Sequence, residues 1–201
     1  MERDEAFRLV RTQLTEKRYI HTLGVADTAV ELAGRFGADP KKAELAAAFH
    51  DYAKYRPLDE MKEVIRSHHL PDLLLEFDPE LWHAPVGAIL VEREAGIHDR
   101  EILDAIRFHT TGRPGMTVLE KIIFLADYIE PNRSFPGVEE VRQLAKKSLD
   151  RAVLRALQNT IIYLAAGGRR IYPDTLDTYN DFVLRIGNQP TNDHREGTGR
   201  Q

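Results

Sequence analysis

The chain has 201 residues, 42% hydrophobic and 30% charged, with a formal net charge of -4; that suffices for one buried core, in one domain or one domain plus small appendages. Cysteine is absent, which excludes disulfides, Cys-zinc sites and thiol nucleophiles. The net charge argues against a general polyanion binder but not against a small phosphorylated substrate held by a few local bases. The charged start Met1-Glu2-Arg3-Asp4 and the lack of an apolar run near the roughly 18 residues of a membrane span read as a cytoplasmic protein.

In chain order the pattern is helical almost throughout. Residues 4–17 form a first amphipathic segment, with Phe7, Val10 and Leu14 in register. A second spans Tyr19 to Phe36, its inward stripe Val25, Ala29, Leu32 and Ala33, with His21 four residues before Val25. Gly37 ends it, and Asp39-Pro40 restarts the chain as N-cap and first helical residue. The third helix is expected to run to Pro57 and so to carry Phe49-His50-Asp51-Tyr52-Ala53-Lys54. Its alanines Ala43, Ala46 and Ala47 share a face with His50 and admit a close neighbour. Residues 57–81 read weakly, as a short helix from Leu58 to Ser67 and an apolar turn after Leu70-Pro71.

A helix from Pro85 to Glu94 closes at Gly96, and Asp99 caps another in which Ile102, Ala105, Ile106 and His109 share a face. Thr117 and Glu120 form a capping-box pattern opening Val118 to Glu130, which Pro131 stops. One long helix is expected over Val138 to Ala165, then Gly167-Gly168, then a short segment ending near Leu184. The expected organisation is all-α: a single domain over 1–187 and a polar, disordered tail over 188–201.

Four inward positions are polar. His21, His50 and His109 lie on apolar faces, and Asp127 sits inside Ile122-Ile123-Phe124-Leu125-Ala126-Asp127-Tyr128-Ile129. Burying such groups is costly unless they are paired or coordinated, and a shared cation answers all of them. His98-Asp99, by contrast, reads as a helix cap, and His68-His69 as an exposed loop.

The order His21, His50-Asp51, Asp127 resembles the H…HD…D metal signature of the HD-domain phosphohydrolase superfamily. The chain is more closely similar to the YqeK family within it, through Arg18-Tyr19-Ile20-His21-Thr22-Leu23-Gly24-Val25, Ala48-Phe49-His50-Asp51-Tyr52-Ala53-Lys54, His83-Ala84-Pro85-Val86-Gly87-Ala88, Ile106-Arg107-Phe108-His109-Thr110-Thr111-Gly112-Arg113 and Leu125-Ala126-Asp127-Tyr128-Ile129-Glu130-Pro131-Asn132-Arg133. The likeness spans roughly residues 15 to 180.

That resemblance implies an HD-type helical bundle with a metal in its core, held by His21, His50, Asp51 and Asp127. His83 and His109 would contact substrate phosphates or hold a second metal. It implies symmetric cleavage of diadenosine tetraphosphate into two ADP by a metal-bound hydroxide, usually with iron, although imidazole and carboxylate ligands also suit manganese, cobalt or zinc. Asp51 and Lys54 would be catalytic; Thr110 and Arg133 would contact the substrate, as would Arg170, Ile171, Tyr172, Pro173, Asp174 and Thr175. A homodimer belongs to the same resemblance. The alternatives are hydrolysis of a deoxynucleoside monophosphate or a guanosine alarmone, or a di-iron oxygenase on the same scaffold.

Overall fold

A computed structural model describes residues 1–187, and the expected tail at 188–201 lies outside them. Ten α-helices account for the architecture, and among the described residues there is no strand. They are α1 (Arg3–Arg11), α2 (Glu16–Phe36), α3 (Pro40–Phe49), α4 (Leu58–Ser67), α5 (His83–Ala95), α6 (Arg100–Arg107), α7 (Val118–Ile129), α8 (Val138–Ala145), α9 (Leu149–Ala166) and α10 (Pro173–Gly187). Two 3₁₀ turns, Asp72–Glu76 and Pro79–Leu81, fill the stretch that read weakly. No described helix is long and apolar enough to cross a membrane.

The caps act as the sequence indicates. The Asp39 carboxylate accepts from the Lys41 N–H at 2.8 Å, with Pro40 in the first turn. Thr117 and Glu120 close a reciprocal capping box, and Gly37 (φ 77°) ends α2 in the left-handed conformation. The Ala43, Ala46 and Ala47 side chains are fully buried, so α2 lies close along α3; α7 packs against both α2 and α3 and also touches α6, α8 and α9.

Five expectations are corrected. Helix α1 stops at Arg11, and α2 begins earlier than Tyr19 because the Thr15 hydroxyl accepts from the Arg18 N–H. Helix α3 ends at Phe49; His50 is its C-cap, and residues 51–55 are turns. Asp51 and Lys54 are therefore not helical, and the Lys54 N–H bonds the Asp51 carbonyl instead. Helix α6 likewise ends at Arg107, leaving His109 in the turn beyond. The long helix is two, because the Ser148 hydroxyl caps α9 by accepting from the Arg151 N–H.

Candidate metal centre

Four imidazoles converge although only His21 lies mid-helix; His50 and His109 sit just past the ends of α3 and α6, and His83 opens α5. All four are buried. Each has its Nδ1 tied back: His50 to the Ala47 carbonyl at 2.6 Å, His83 to Glu80 O at 2.6 Å, His109 to Ile106 O at 2.7 Å, and His21 to the Glu130 carboxylate at 3.1 Å. Carbonyls only accept, so Nδ1 carries the proton in three of the rings and the geometry favours the same in His21. Their Nε2 lone pairs then point inward. This tethering explains why His50 and His109 lie where helices terminate: the last turn has spare carbonyls, and each ring reaches back three residues to one, as His83 does to the 3₁₀ turn before it.

Inside, the Nε2 atoms meet carboxylates. His21 Nε2 is 3.0 Å from Asp127 Oδ1, and His50 Nε2 is 3.1 Å from Asp51 Oδ2. Neither of these buried nitrogens makes a properly formed hydrogen bond. Acceptor facing acceptor at 3 Å is unfavourable unless a cation lies between them. The same holds for His83 Nε2 and His109 Nε2, 3.1 Å apart. The residues therefore fit a divalent metal. Two triplets have ligand atoms close enough to hold one, His21–His50–Asp51 and Asp51–His83–His109, with Asp51 common to both. Asp127 approaches the first triplet with a side chain 22% exposed, the most open of the group.

The charges agree with that reading. Burial opposes the charge on Asp51, but His50 and His83 override it and hold the carboxyl well below the usual carboxylate range. Burial likewise opposes Asp127, yet His21 and Arg133 keep it well below that range too. Burial and the neighbouring His83 push His109 down to about 3, so this ring is neutral. Burial works against a charged His50 as well, but the Asp51 carboxylate wins and its pKa is raised. In metal-free protein the site thus draws a proton where the residues would hold a cation.

A pH dependence follows. The folded His50 pKa lies above the unfolded value of about 6.5, so its contribution to stability is complete below that pH and fades as pH rises through the folded value. Asp51 and Asp127, with depressed values, contribute above about pH 4 and lose that contribution as pH falls. Metal must displace the His50 proton. Adding Mn²⁺ should therefore raise the melting temperature more at pH 8 than at pH 6; thermal scans at the two pH values check this, and a larger gain at pH 6 contradicts it.

Three supporting residues were not singled out in the sequence. Arg18, one helical turn before His21, donates from Nη1 to Asp51 Oδ2 at 3.0 Å. Glu130 is 1% exposed; one oxygen faces His21 and the other accepts from the Asn132 backbone N–H at 2.7 Å and the Asn132 Nδ2 at 3.0 Å. This is a carboxylate–histidine support of the kind that fixes ring orientation behind a metal. Arg142 of α8 donates to the carbonyls of Ile129, Glu130 and Arg133 at 2.8–2.9 Å, locking the loop that carries Glu130 and Arg133. An acid following an apolar run and preceding proline was the available signal for Glu130; Arg142 has no local signal.

Gly24 makes the Glu130 position testable. A Cβ there would lie 2.6 Å from Glu130 Oε2, and that oxygen is pinned by Asn132. Gly24→Ala should displace Glu130, tilt His21 and weaken metal affinity about 10–100-fold, measured by metal titration, while the helical circular dichroism is kept.

Around the metal site lies a cavity of about 280 Å³, lined among others by Arg18, Asp51, Lys54, Thr110, Asp127 and Arg133. The Lys54 Nζ pairs with Glu80 at 2.6 Å, and the Arg133 Nη2 with Asp127 at 2.6 Å. The Thr110 hydroxyl is buried with no partner. The 170–175 segment stands farther back. Arg170 bonds the Glu76 carbonyl, the buried Tyr172 packs edge-on against Phe77 at 5.1 Å, and Thr175 is buried. Tyr172 and Asp174 line a neighbouring cleft of about 150 Å³ that shares Leu81 and Thr110 with the central cavity; Arg170, Ile171, Pro173 and Thr175 line neither. His68 and His69 are exposed, and Asp99 caps α6, as expected.

Residues 18–132 match the HD domain family. A Bacillus subtilis (strain 168) protein named bis(5'-nucleosyl)-tetraphosphatase, symmetrical, is 61% identical over 91% of this chain and 98% of its own. A protein of the same name from Halalkalibacterium halodurans is 56% identical over 92% and 98%. A Clostridium acetobutylicum crystal structure, described as a "predicted HD superfamily hydrolase involved in NAD metabolism", superposes with a TM-score of 0.87 at 41% identity, covering 92% of this chain and 98% of that one.

Proposed function

The chain belongs to the HD domain family, and from that premise we propose that it hydrolyses diadenosine tetraphosphate at the central phosphoanhydride, giving two ADP; its relatives are named symmetrical bis(5'-nucleosyl)-tetraphosphatases. The observation that carries the reading is the set of buried, inward-facing Nε2 lone pairs against carboxylates, opening on a cavity lined by Arg18, Lys54 and Arg133. His21, His50, Asp51 and Asp127 would hold the metal, and Asp51, His83 and His109 a second. Iron is our choice within a ligand set that manganese, cobalt or zinc also satisfy. When bound, the metal supplies Lewis-acid neutralisation of phosphoryl charge and a water of lowered pKa.

The residues do the rest. Lys54 and Arg133 place the polyphosphate by charge-assisted hydrogen bonds, and the orphan Thr110 hydroxyl gives a further donor. Asp51, with its depressed pKa, remains an acceptor that orients the attacking water. Water oxygen bonds to phosphorus and gives up its proton to solvent, the bridging P–O bond breaks, and ADP departs as an anion stable enough to need no acid from the protein. The resemblance extends the proposal to a cytoplasmic homodimer, which cell fractionation and sedimentation check.

The test gives purified protein, its metal quantified, diadenosine tetraphosphate and resolves the products by ion exchange. ADP alone, abolished by a chelator and restored by ferrous or manganous ion, is expected. ATP plus AMP, or no cleavage with metal bound, overturns the assignment.

A further inference from the structure

The central cavity has two neighbours. Past Leu81 and Thr110 lies the small cleft at Tyr172. Past Asp127 and Arg133 lies a different one of about 640 Å³, more than twice the volume of the central cavity and within the roughly 300–1,000 Å³ of small-molecule sites. Its walls are Tyr128 and Phe135 on one side and Ile162 and Tyr163 of α9 on the other.

These walls suit a flat, uncharged group. Tyr128 and Phe135 stack edge-to-face with centroids 5.0 Å apart, which fixes both rings. Ile162 and Tyr163 are 64% and 65% exposed, with the Arg169 guanidinium 5.5 Å from the Tyr163 ring centroid on one face. The Asn159 amide nitrogen is buried and makes no well-formed hydrogen bond, with the Tyr128 hydroxyl beside it; a Cβ at Gly137 (φ 88°) would lie 2.8 Å from it, so the glycine leaves the amide its space. Among the described residues, Asp127 and Arg133, at the edge shared with the centre, are the only charged ones lining the cleft. A polyphosphate would find one cation there, Arg133, and only at the edge shared with the central cavity.

We propose that this cleft is a nucleoside subsite, taking one adenosine of a dinucleoside polyphosphate while Asp127 and Arg133 stay with the phosphates. The inference rests on the hydrolase reading and deepens it. A base can stack on Tyr163 or Phe135, and its ring nitrogens accept from the Asn159 amide, a pairing asparagine makes with adenine. The second nucleoside leaves by the opposite side, past Thr110 and Leu81. A substrate with a nucleoside at each end then fills this cleft whichever way round it binds, whereas one with a single nucleoside can bind with the cleft empty.

That difference is the test. The wild type and an Ile162→Ala/Tyr163→Ala variant are loaded with Mn²⁺ and assayed on diadenosine tetraphosphate and on adenosine 5'-tetraphosphate. Both substituted side chains are exposed, so the melting temperature should hold. The wild type should prefer the dinucleotide, and the variant should narrow that preference in kcat/KM about tenfold, through KM. Asn159→Leu should narrow it as well. A wild type that cleaves the dinucleotide and variants that keep its full preference overturn the subsite while sparing the hydrolase. A variant that converts a dimer to a monomer with the preference intact assigns the face to a second copy, which also overturns it. A wild type that cleaves neither compound sinks the hydrolase reading and the subsite together.

Discussion

Asp51→Asn should lower turnover about a thousandfold or more and strip metal from the protein, with the helical fold kept. The substitution preserves shape, so the loss comes from charge and from one donor facing the wrong way. Arg18 Nη1 donates to Asp51 Oδ2. Two donors cannot share that contact, so the asparagine oxygen takes the Oδ2 position and its NH₂ replaces Oδ1. Oδ1 lies 3.1 Å from His83 Nε2, whose lone pair faces inward because Nδ1 is bonded to Glu80 O. The new N–H donates to that lone pair and closes the Asp51–His83–His109 triplet to metal. The His21–His50 triplet keeps only a neutral amide oxygen, a poor substitute for carboxylate beside a hard cation. Metal analysis after gel filtration, together with product formation, checks this. Full metal content with more than a tenth of wild-type turnover would show that Asp51 is not shared by the two triplets.

Much of this arrangement was legible because it follows from local rules. A hydrophobic stripe with a period of 3.6 located α2 and α7 and placed His21 inward, and the caps at Asp39, Asp99 and Thr117 fixed three helix starts. The same periodicity misled at His50 and His109. Both lie inward, but in turns past helix ends, where their Nδ1 atoms reach the spare carbonyls of Ala47 and Ile106. Apolar spacing cannot tell the last turn of a helix from the turn after it, because Cβ directions differ little there. Ser148 was misread for a related reason: the apolar pattern on either side resumes in register, so only the hydroxyl–Arg151 bond marks the break. Long-range contacts were out of reach. Arg142 supports the Glu130–Arg133 loop from a different helix, and no sequence spacing encodes that meeting.

Arg133→Ala should slow turnover about 100–1,000-fold while metal stays bound. The guanidinium does not wait free for substrate: its Nη2 holds Asp127 Oδ1 at 2.6 Å and its Nε the Asp127 carbonyl at 3.0 Å. That two-point grip fixes the carboxylate we propose as a metal ligand, the most exposed side chain of the set. Removing the arginine leaves Asp127 charged, since burial, His21 and Arg133 all act on it and His21 remains, so a divalent cation is still attracted. What is lost is the direction of the carboxylate and the remaining guanidinium N–H groups for a phosphoryl oxygen. Arg133→Lys separates the two. Lysine restores the charge but cannot reproduce the planar fork, so its turnover should stay nearer to that of the alanine variant than to wild type. Lys54→Ala sets the comparison: Lys54 pairs with Glu80, whose side chain is 72% exposed, an ion pair that costs little to exchange for a phosphate. Its loss should raise KM more than it lowers kcat. Metal content, kcat and KM measured for the three variants would reveal the division, and equal loss of metal in all three would mean that Arg133 acts as structural support alone.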